Sequence, residues 1–332
     1  MARGQKAGLL FLAFAIAVIV LLVVRELVSP EALEEQRFLF PEVGAGYNAI
    51  ESIQIKDNNF TVKLVHQNSA WRIGAGTSAE GYEVDVPMIA GLIRFVKNAK
   101  YLDQKTNQKD KLAKLGLAID DSVNLDSVGA EAHNTSATPT LLTIKFPGRE
   151  EAVLIGNQSR SGLGTYIRFP NTLQAWLVSG EVNLPVDVVA WVPRVFLDID
   201  RAEIERAEFR SATGELVIIS ADSETESAMI ENLPLGASLA YESVGDMALS
   251  ALVNLRLEAL AQADQFSFQA VDTAKFELVS GEIILIRCLE LQNEFWISIS
   301  RGNIIDQWAY RIDRHRYNQL TRRMRDYLAP EQ

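Results

Sequence analysis

The chain has 332 residues, of which 48% are apolar, 23% charged and 8% aromatic. This composition is typical of a folded protein and lies far from that of disordered chains. The length predicts about two domains. The formal net charge of -11 argues against a nucleic-acid partner, because affinity for phosphates comes mainly from lysine and arginine. The single cysteine, Cys288, excludes an intramolecular disulfide.

An uncharged apolar run near the N-terminus extends from Ala7 to Val24. As a helix it would be ~27 Å long, close to the ~30 Å hydrocarbon core of a bilayer. Arg3 and Lys6 precede it, so we expect a single-pass protein of the bacterial inner membrane with a cytoplasmic N-terminus and the bulk of the chain in the periplasm. The alternative is a cleaved signal peptide, but the small-x-small triplet at 13–15 lies inside the apolar run.

The expected fold class is α+β, with one N-terminal transmembrane helix followed by two similar β-rich α+β modules. Residues 1–25 are the predicted cytoplasmic tip and transmembrane anchor. Residues 26–47, rich in proline and glycine, read as a linker. Residues 48–195 form the first predicted module, and residues 196–332 form the second, which ends in an amphipathic helix.

Apolar periodicity places the elements of the first module. Alternating residues at 50–64 predict a hairpin that turns at residues 57–59. From Asp85 onward the period becomes helical, with Asp85 as a plausible N-cap. The apolar face of that helix consists of Ile89, Leu92, Ile93, Val96 and Ala99.

The second module repeats this order. A hairpin at 204–219 precedes apolar residues between Leu249 and Leu260 that predict an amphipathic helix. A C-terminal amphipathic helix is predicted from Arg314 to Leu328, with Tyr317 on its apolar face. The similar offsets predict internal duplication of a unit of roughly 150 residues, although mixtures of strands and helices also resemble one another by chance.

Several short stretches resemble the domain-of-unknown-function family numbered 4340. They are Ser69-Ala70-Trp71-Arg72-Ile73, Leu112-Ala113-Lys114-Leu115-Gly116-Leu117, Val153-Leu154-Ile155-Gly156 and Thr165-Tyr166-Ile167-Arg168. The resemblance implies a bacterial, membrane-anchored, extracytoplasmic protein that accompanies gliding-motility-like ABC transporter components. It implies no catalytic residues. Family members often carry a proline after the Trp strand, where this chain has Gly74-Ala75-Gly76.

Residues with catalytic or ligand-binding potential are scattered along the chain, and no catalytic, cofactor-binding or metal-binding residue and no cofactor is predicted. The candidates are His66, His133, His315, the turn Ser159 to Gly164, the pairs Asp120-Asp121, Glu150-Glu151 and Asp198/Asp200, and Cys288. The histidines lack metal-ligand spacing, and the glycine-containing turn leads into a strand and not a helix. Adjacent acids usually only solubilise a surface, and Cys288 reads as a small buried apolar residue.

The favoured function is a membrane-anchored extracytoplasmic accessory or scaffold subunit of an ABC-type, gliding-motility-like transport system. Its expected partners are the membrane, through Ala7 to Val24, an ABC permease with its ATPase, and a second exterior auxiliary subunit. Two alternatives remain open. One is a periplasmic hydrolase of envelope glycan with a dispersed acid pair, and the other is a module that binds a small ligand or lipid.

Overall fold

The computed structural model describes residues 37–41, 49–118, 138–222 and 227–329. Strands account for 42% of the structure and helices for 18%, so the predicted α+β class is wrong and the fold is mostly β. The physical reason is that long, consecutive strands dominate both halves, whereas the helices are mostly single turns. No helix in the described ranges is long and apolar enough to cross a membrane. The span predicted from Ala7 to Val24 lies outside those ranges.

Two compact units make up the chain. The first consists of Met1–Gly76 and Glu83–Asp187, and the second of Thr77–Tyr82 and Val188–Gln332. Each unit contains one antiparallel eight-stranded sheet.

The sheet of the first unit has the strand order β3-β2-β1-β5-β6-β7-β8-β4. Its strands are β1 (Ser52–Lys56), β2 (Thr61–Gln67), β3 (Ala70–Ile73), β4 (Tyr101–Gln104), β5 (Thr140–Phe146), β6 (Arg149–Gln158), β7 (Gly164–Arg168) and β8 (Ala175–Ser179). The predicted hairpin corresponds to β1 and β2, with Ile53 opposite Leu64 on one side and Ile144 on the other. All three side chains are fully buried. The period-two pattern therefore places the apolar side chains on one face of this sheet, and that face packs in the core.

Within its described residues the first unit has two α-helices, α1 (Val86–Asn98) and α2 (Lys109–Leu112), and α2 is continued by a 3₁₀ turn at Ala113–Leu115. Helix α1 follows the extended residue Asp85 and carries proline in its first turn, where a missing N–H costs little. It buries Ile89, Leu92, Phe95 and Val96. The expected helix is therefore present, with Phe95 added to its buried face. Of the other predicted residues, Ile93 is only partly buried and Ala99 is the C-cap.

Part of the segment expected to be a linker is attached to the sheet. Phe38 forms an antiparallel bridge with Lys100, just before β4. The N–H of Leu39 donates to the carbonyl of Ala99 at 2.8 Å, and the N–H of Tyr101 donates to the carbonyl of Arg37 at 3.0 Å. Leu39 and Phe40 are buried. Residues 37–41 therefore extend the β4 edge of the first unit.

The sheet of the second unit has the order β12-β11-β10-β15-β16-β17-β18-β14, and a separate two-stranded sheet pairs β9 with β13. The strands are β9 (Val195–Leu197), β10 (Ile204–Arg210), β11 (Leu216–Ala221), β12 (Ala228–Ile230), β13 (Leu255–Arg256), β14 (Ala259–Gln262), β15 (Asp272–Leu278), β16 (Ile283–Leu291), β17 (Glu294–Arg301) and β18 (Ile304–Ile312). The helices are α3 (Asp246–Leu249) and α4 (Arg314–Leu320), with 3₁₀ turns at Val188–Trp191, Arg201–Glu203, Glu242–Gly245, Ala263–Gln265 and Met324–Asp326.

The two large sheets share one topology. When the strands of each sheet are numbered from one to eight along the chain, both sheets have the spatial order 3-2-1-5-6-7-8-4. In each sheet the fourth strand therefore lies at the edge, beside the eighth. Duplication of an ancestral unit stays a prediction that this shared order supports.

Two helices of the second unit are shorter than the sequence predicts. The prediction of a helix between Leu249 and Leu260 is wrong. Helix α3 ends at Leu249, and the chain turns at Asn254, which has a left-handed φ of 51°. The predicted C-terminal helix stops at Leu320 and is followed by the 3₁₀ turn at Met324–Asp326. Tyr317, Leu320 and Tyr327 are nevertheless buried.

Candidate functional site

A groove of about 410 Å³ lies in the first unit between α1 and the segment that follows β8. This volume is within the ~300–1,000 Å³ of typical ligand sites. Its apolar lining includes Leu92, Phe95 and Val182, and its polar lining includes Arg94 and Glu181. The groove is thus an apolar concavity with one charge of each sign on its walls.

Helix α1 forms one wall because its sequence has a second stripe beside the buried face. Met88, Gly91 and Asn98 recur at one-turn and two-turn spacing and line the groove. The first turn is closed by the N–H of Ile89, which donates to the carbonyl of Asp85 at 3.1 Å. A Cβ built on Gly91 has no heavy atom within 4 Å. This glycine therefore leaves open space in the middle of the groove.

The opposite wall is held by hydrogen bonds to the sheet. The hydroxyl of Thr165, itself fully buried, donates to the carbonyl of Gly180 at 2.9 Å. The N–H of Lys100 donates to the hydroxyl of Ser179 at 2.9 Å. Gly180 has a φ of +90°, and a Cβ there would lie 3.4 Å from the ring of Phe95. Both walls of the groove are therefore built on hydrogen-bonded backbone.

The candidate histidines do not come together. The ring of His66 stacks on Trp71 with centroids 5.0 Å apart. His315 contacts the amide of Gln319 at 3.2 Å. His133 lies outside the described residues. Within the described ranges, no group of three or more His, Cys, Asp or Glu side chains is arranged to hold a metal ion.

Three of the described candidate carboxylates contact neighbouring groups of the fold. Asp198 accepts a hydrogen bond from the N–H of Asn254 at 2.7 Å, at the left-handed turn. Asp200 caps a 3₁₀ turn by accepting from the N–H of Ala202 at 2.9 Å. In the pair Glu150-Glu151, Glu151 lies 3.9 Å from Arg149. Asp120 and Asp121 lie outside the described residues.

The remaining two candidates are also accounted for by packing. Cys288 is 2% exposed on β16, and burial raises the pKa of its thiol, so the thiolate that would be the nucleophile is disfavoured. The segment from Ser159 to Gly164 is the turn between β6 and β7, closed by the N–H of Ser159 donating to the carbonyl of Gly164 at 2.7 Å.

A charge network, which the sequence did not reveal, covers part of the second unit's sheet. Arg206 pairs with Glu231 at 3.1 Å and Glu277 at 3.7 Å, and it also contacts Glu208. Lys275 lies 3.7 Å from Glu208. The hydrogen bond from Arg206 to Glu231 is the main cause that raises the pKa of this arginine. Because the Arg206–Glu277 and Lys275–Glu208 pairs join the adjacent strands β10 and β15, we interpret the network as cross-strand stabilisation.

Arg168 is another charged residue whose structural role the sequence did not reveal. It is 5% exposed, and it donates from Nη1 to the carbonyl of Thr172 at 2.6 Å. Burial lowers the pKa of its guanidinium. In the sheet it stands between Leu154 and Ala175, which belong to an apolar cluster. The side chain therefore fastens the turn between β7 and β8 to the sheet.

The protein consists of two mostly β units whose sheets have the same strand order, and the first unit has a groove beside α1. The family model described as "Domain of unknown function (DUF4340)" matches residues 71–278, more than half of the chain, and the chain belongs to that family. The match runs from β3 to the last residue of β15, so it covers parts of both units. No curated protein and no solved structure matches the chain.

The resemblance predicted from the sequence is thus confirmed at the level of the family. The groove itself was missed, because its second wall becomes adjacent to α1 only in the folded unit. One signal was present. Gly91 interrupts an otherwise regular helical pattern at a cost of ~1 kcal/mol relative to alanine, which indicates either close approach or open space at that position.

Proposed function

We propose that this protein is an extracytoplasmic accessory or scaffold subunit, held at the bacterial inner membrane by the segment from Ala7 to Val24. We further propose that it associates with an ABC-type, gliding-motility-like transport system through a protein-binding surface on its first unit. Family membership and the charge flanks of the apolar segment support the location. The observation that carries the binding role is the groove beside α1.

The composition of the groove favours binding over hydrolysis. Glu181 is the one carboxylate among its lining residues, whereas glycoside hydrolysis normally uses two flanking carboxyl groups. The hydroxyl in the lining, that of Ser179, already accepts a hydrogen bond from the backbone of Lys100. An apolar floor with a few polar side chains at the rim is the usual arrangement at the centre and edge of a protein interface.

The experiment compares three versions of the full-length, affinity-tagged protein purified from detergent extracts of its own cells. They are the unaltered protein, Gly91→Trp, and Ala90→Trp as the matched control. Gly91 lines the groove and a Cβ there meets open space. Ala90 is an exposed residue of the same helix that does not line the groove.

We expect the unaltered protein and Ala90→Trp to recover the permease and its ATPase, and Gly91→Trp to lose them because the indole occupies the groove. Recovery of transporter subunits by all three proteins would refute the role of the groove. Failure of the intact, unaltered protein to recover any transporter subunit would refute the proposed association.

The location is tested separately with a reporter fused after Gln332. A reporter that is active only outside the cytoplasm should be active in this fusion. Activity of a reporter that works only in the cytoplasm would contradict the proposed topology.

A further inference from the structure

Four branched apolar side chains are exposed at one end of the second unit's sheet, beside the turn between β15 and β16 and the turn between β17 and β18. We call them the apolar tip, and they are Val279, Ile283, Ile304 and Ile305. Their exposed fractions run from 40% for Ile283 to 77% for Ile304. The N–H of Gly302 donates to the carbonyl of Ile283 at 2.8 Å. The apolar tip is therefore shared by two turns that are hydrogen-bonded to each other.

Neither turn chemistry nor the shared topology accounts for these exposed side chains. The turns themselves consist of Ser280-Gly281 and Gly302-Asn303, residue types that turns favour. In the first unit, the corresponding turn between β5 and β6 is Pro147-Gly148, and the preceding Phe146 is buried. The corresponding turn between β7 and β8 exposes one large apolar residue, Leu173. The apolar tip is thus a feature of the second unit.

Polar groups beside the apolar tip are already paired within the unit. The N–H groups of Val279 and Gly281 donate to backbone carbonyls at 2.9 and 2.8 Å. The charged side chains that flank the turns, Glu282 and Arg301, lie 3.9 Å apart. A surface that enters a nonpolar medium must have its backbone groups bonded internally and its charges paired. These groups meet that requirement.

The area of the apolar tip argues against a stable protein interface. Its exposed surface is on the order of 400 Å², a size at which exposed apolar patches mark interaction sites. Each partner of a stable interface contributes ~800 Å², so a dimer joined through the apolar tip alone would be weak. Insertion into a bilayer has no such minimum, because membrane affinity grows with the apolar area that is buried.

We propose that the apolar tip inserts into the surface of the lipid bilayer, ~5–10 Å deep at the boundary between head groups and acyl chains. The chain has a net charge of -11, which opposes a broad contact with anionic head groups. Insertion of two turns avoids that contact, because their own charges are paired.

The inference rests on the proposed function, because the segment from Ala7 to Val24 would already hold the chain at the membrane. A tethered protein needs only a weak additional contact. The apolar tip supplies a second attachment point, which restricts the orientation of the second unit relative to the bilayer.

The test uses the full-length protein reconstituted into phosphatidylcholine vesicles, with a polarity-sensitive fluorophore on Asn303→Cys. Asn303 is exposed, whereas the native Cys288 is buried and stays unlabelled. The control label is on Ala212→Cys, an exposed position in the turn between β10 and β11, at the other end of the sheet. A spin label on the lipid acyl chain, close to the head group, quenches a fluorophore that enters the bilayer. We expect at least ~2-fold stronger quenching at the apolar tip than at the control position.

Substitutions of exposed residues identify the side chains responsible. Ile304→Ser combined with Ile305→Ser should lower the quenching of the Asn303→Cys label to the control level, and Val279→Ser on the other turn should lower it in part. Leu291→Ser is the matched control, because Leu291 is exposed at the opposite end of β16, and it should leave the quenching unchanged. Circular dichroism of each variant checks that its fold is retained.

Equal quenching at the two label positions, or quenching that the double substitution does not reduce, would overturn the inference. A spectral shift without lipid quenching that is lost when the protein is diluted in lipid would indicate contact between copies of the chain, and would overturn it as well. If the apolar tip is not quenched while the tagged protein still recovers the permease, insertion is refuted and the proposed function stands. Quenching without recovery of the permease would refute the proposed association and support insertion.

Discussion

Truncation of Leu320 to alanine tests whether α4 is a packed part of the second unit's core. Leu320 is fully buried, and Tyr317 on the same face is 8% exposed. Deleting the buried leucine side chain costs ~2–5 kcal/mol, depending on how far the site collapses. Because α4 has seven residues and ends near the C-terminus, partial collapse is expected and the cost should be about 3 kcal/mol.

Hydrogen exchange of the full-length protein measures this cost locally. Helix α4 packs against β16, so the slowest amides of β16 should exchange about 100-fold faster in Leu320→Ala than in the unaltered protein. The matched control is Asn318→Ala, an exposed position of the same helix, where the rates should stay within ~2-fold. Exchange in β16 that is unchanged by Leu320→Ala would refute the argument that α4 is packed into the core.

Three further substitutions have outcomes that the structure determines. A Cβ on Gly164 would lie 1.8 Å from the carbonyl oxygen of Val178, so Gly164→Ala should lower the free energy of unfolding of the first unit by about 3 kcal/mol. A Cβ on Gly91 meets open space, so Gly91→Ala should raise the same free energy by ~0.8 kcal/mol. Denaturant titrations measure both changes. The hydrogen bond from Lys275 lowers the pKa of Glu277 below its usual 4.5, so this carboxylate stabilises the fold above that pH and the contribution is lost as the pH falls through the lowered value. Glu277→Gln should therefore be less stable by under ~1 kcal/mol at neutral pH, and the difference should shrink as the pH falls through the lowered pKa. A difference that does not decrease as the pH is lowered would contradict this account.

The sequence predicted those elements whose periodicity is strictly local. Ile53 and Leu64 alternate with polar neighbours on either side of a short turn, and they form the predicted hairpin. Asp85 and the apolar face of α1 mark a helix that is present with nearly the expected bounds. In both cases the buried face and the secondary structure are set by the same residues, so the pattern is sufficient.

In the segment where the pattern was misleading, the apolar residues are buried as expected, but they lie in different secondary structure from the predicted helix. Leu249, Leu252, Leu255 and Leu260 are all buried, yet they belong to a short helix, a turn and two strands. Helical spacing of apolar residues cannot distinguish one continuous helix from such a path, because each short segment contributes one or two leucines to the core. The α+β class was wrong for the same reason.

The candidate site could not be predicted because its two walls come from distant parts of the first unit. Arg94 and Glu181 are far apart in sequence, and hydrogen bonds to Lys100 and Thr165 set the second wall. These bonds depend on how β8 pairs with β7 on one side and with β4 on the other, which no local pattern specifies. The position of Gly91 was the one local indication.

The attachment of residues 37–41 to the edge of β4 sets the length of the tether between the proposed membrane segment and the first unit. Val24 ends the apolar run, and among the described residues Arg37 is the first that is bonded to the sheet edge. A stretch of that length reaches at most about 45 Å when fully extended. In the proposed anchored protein the first unit would stay within that distance of the bilayer, where the proposed membrane-embedded partner would be met at a high effective concentration. A contact that is weak in free solution would suffice to hold such a partner.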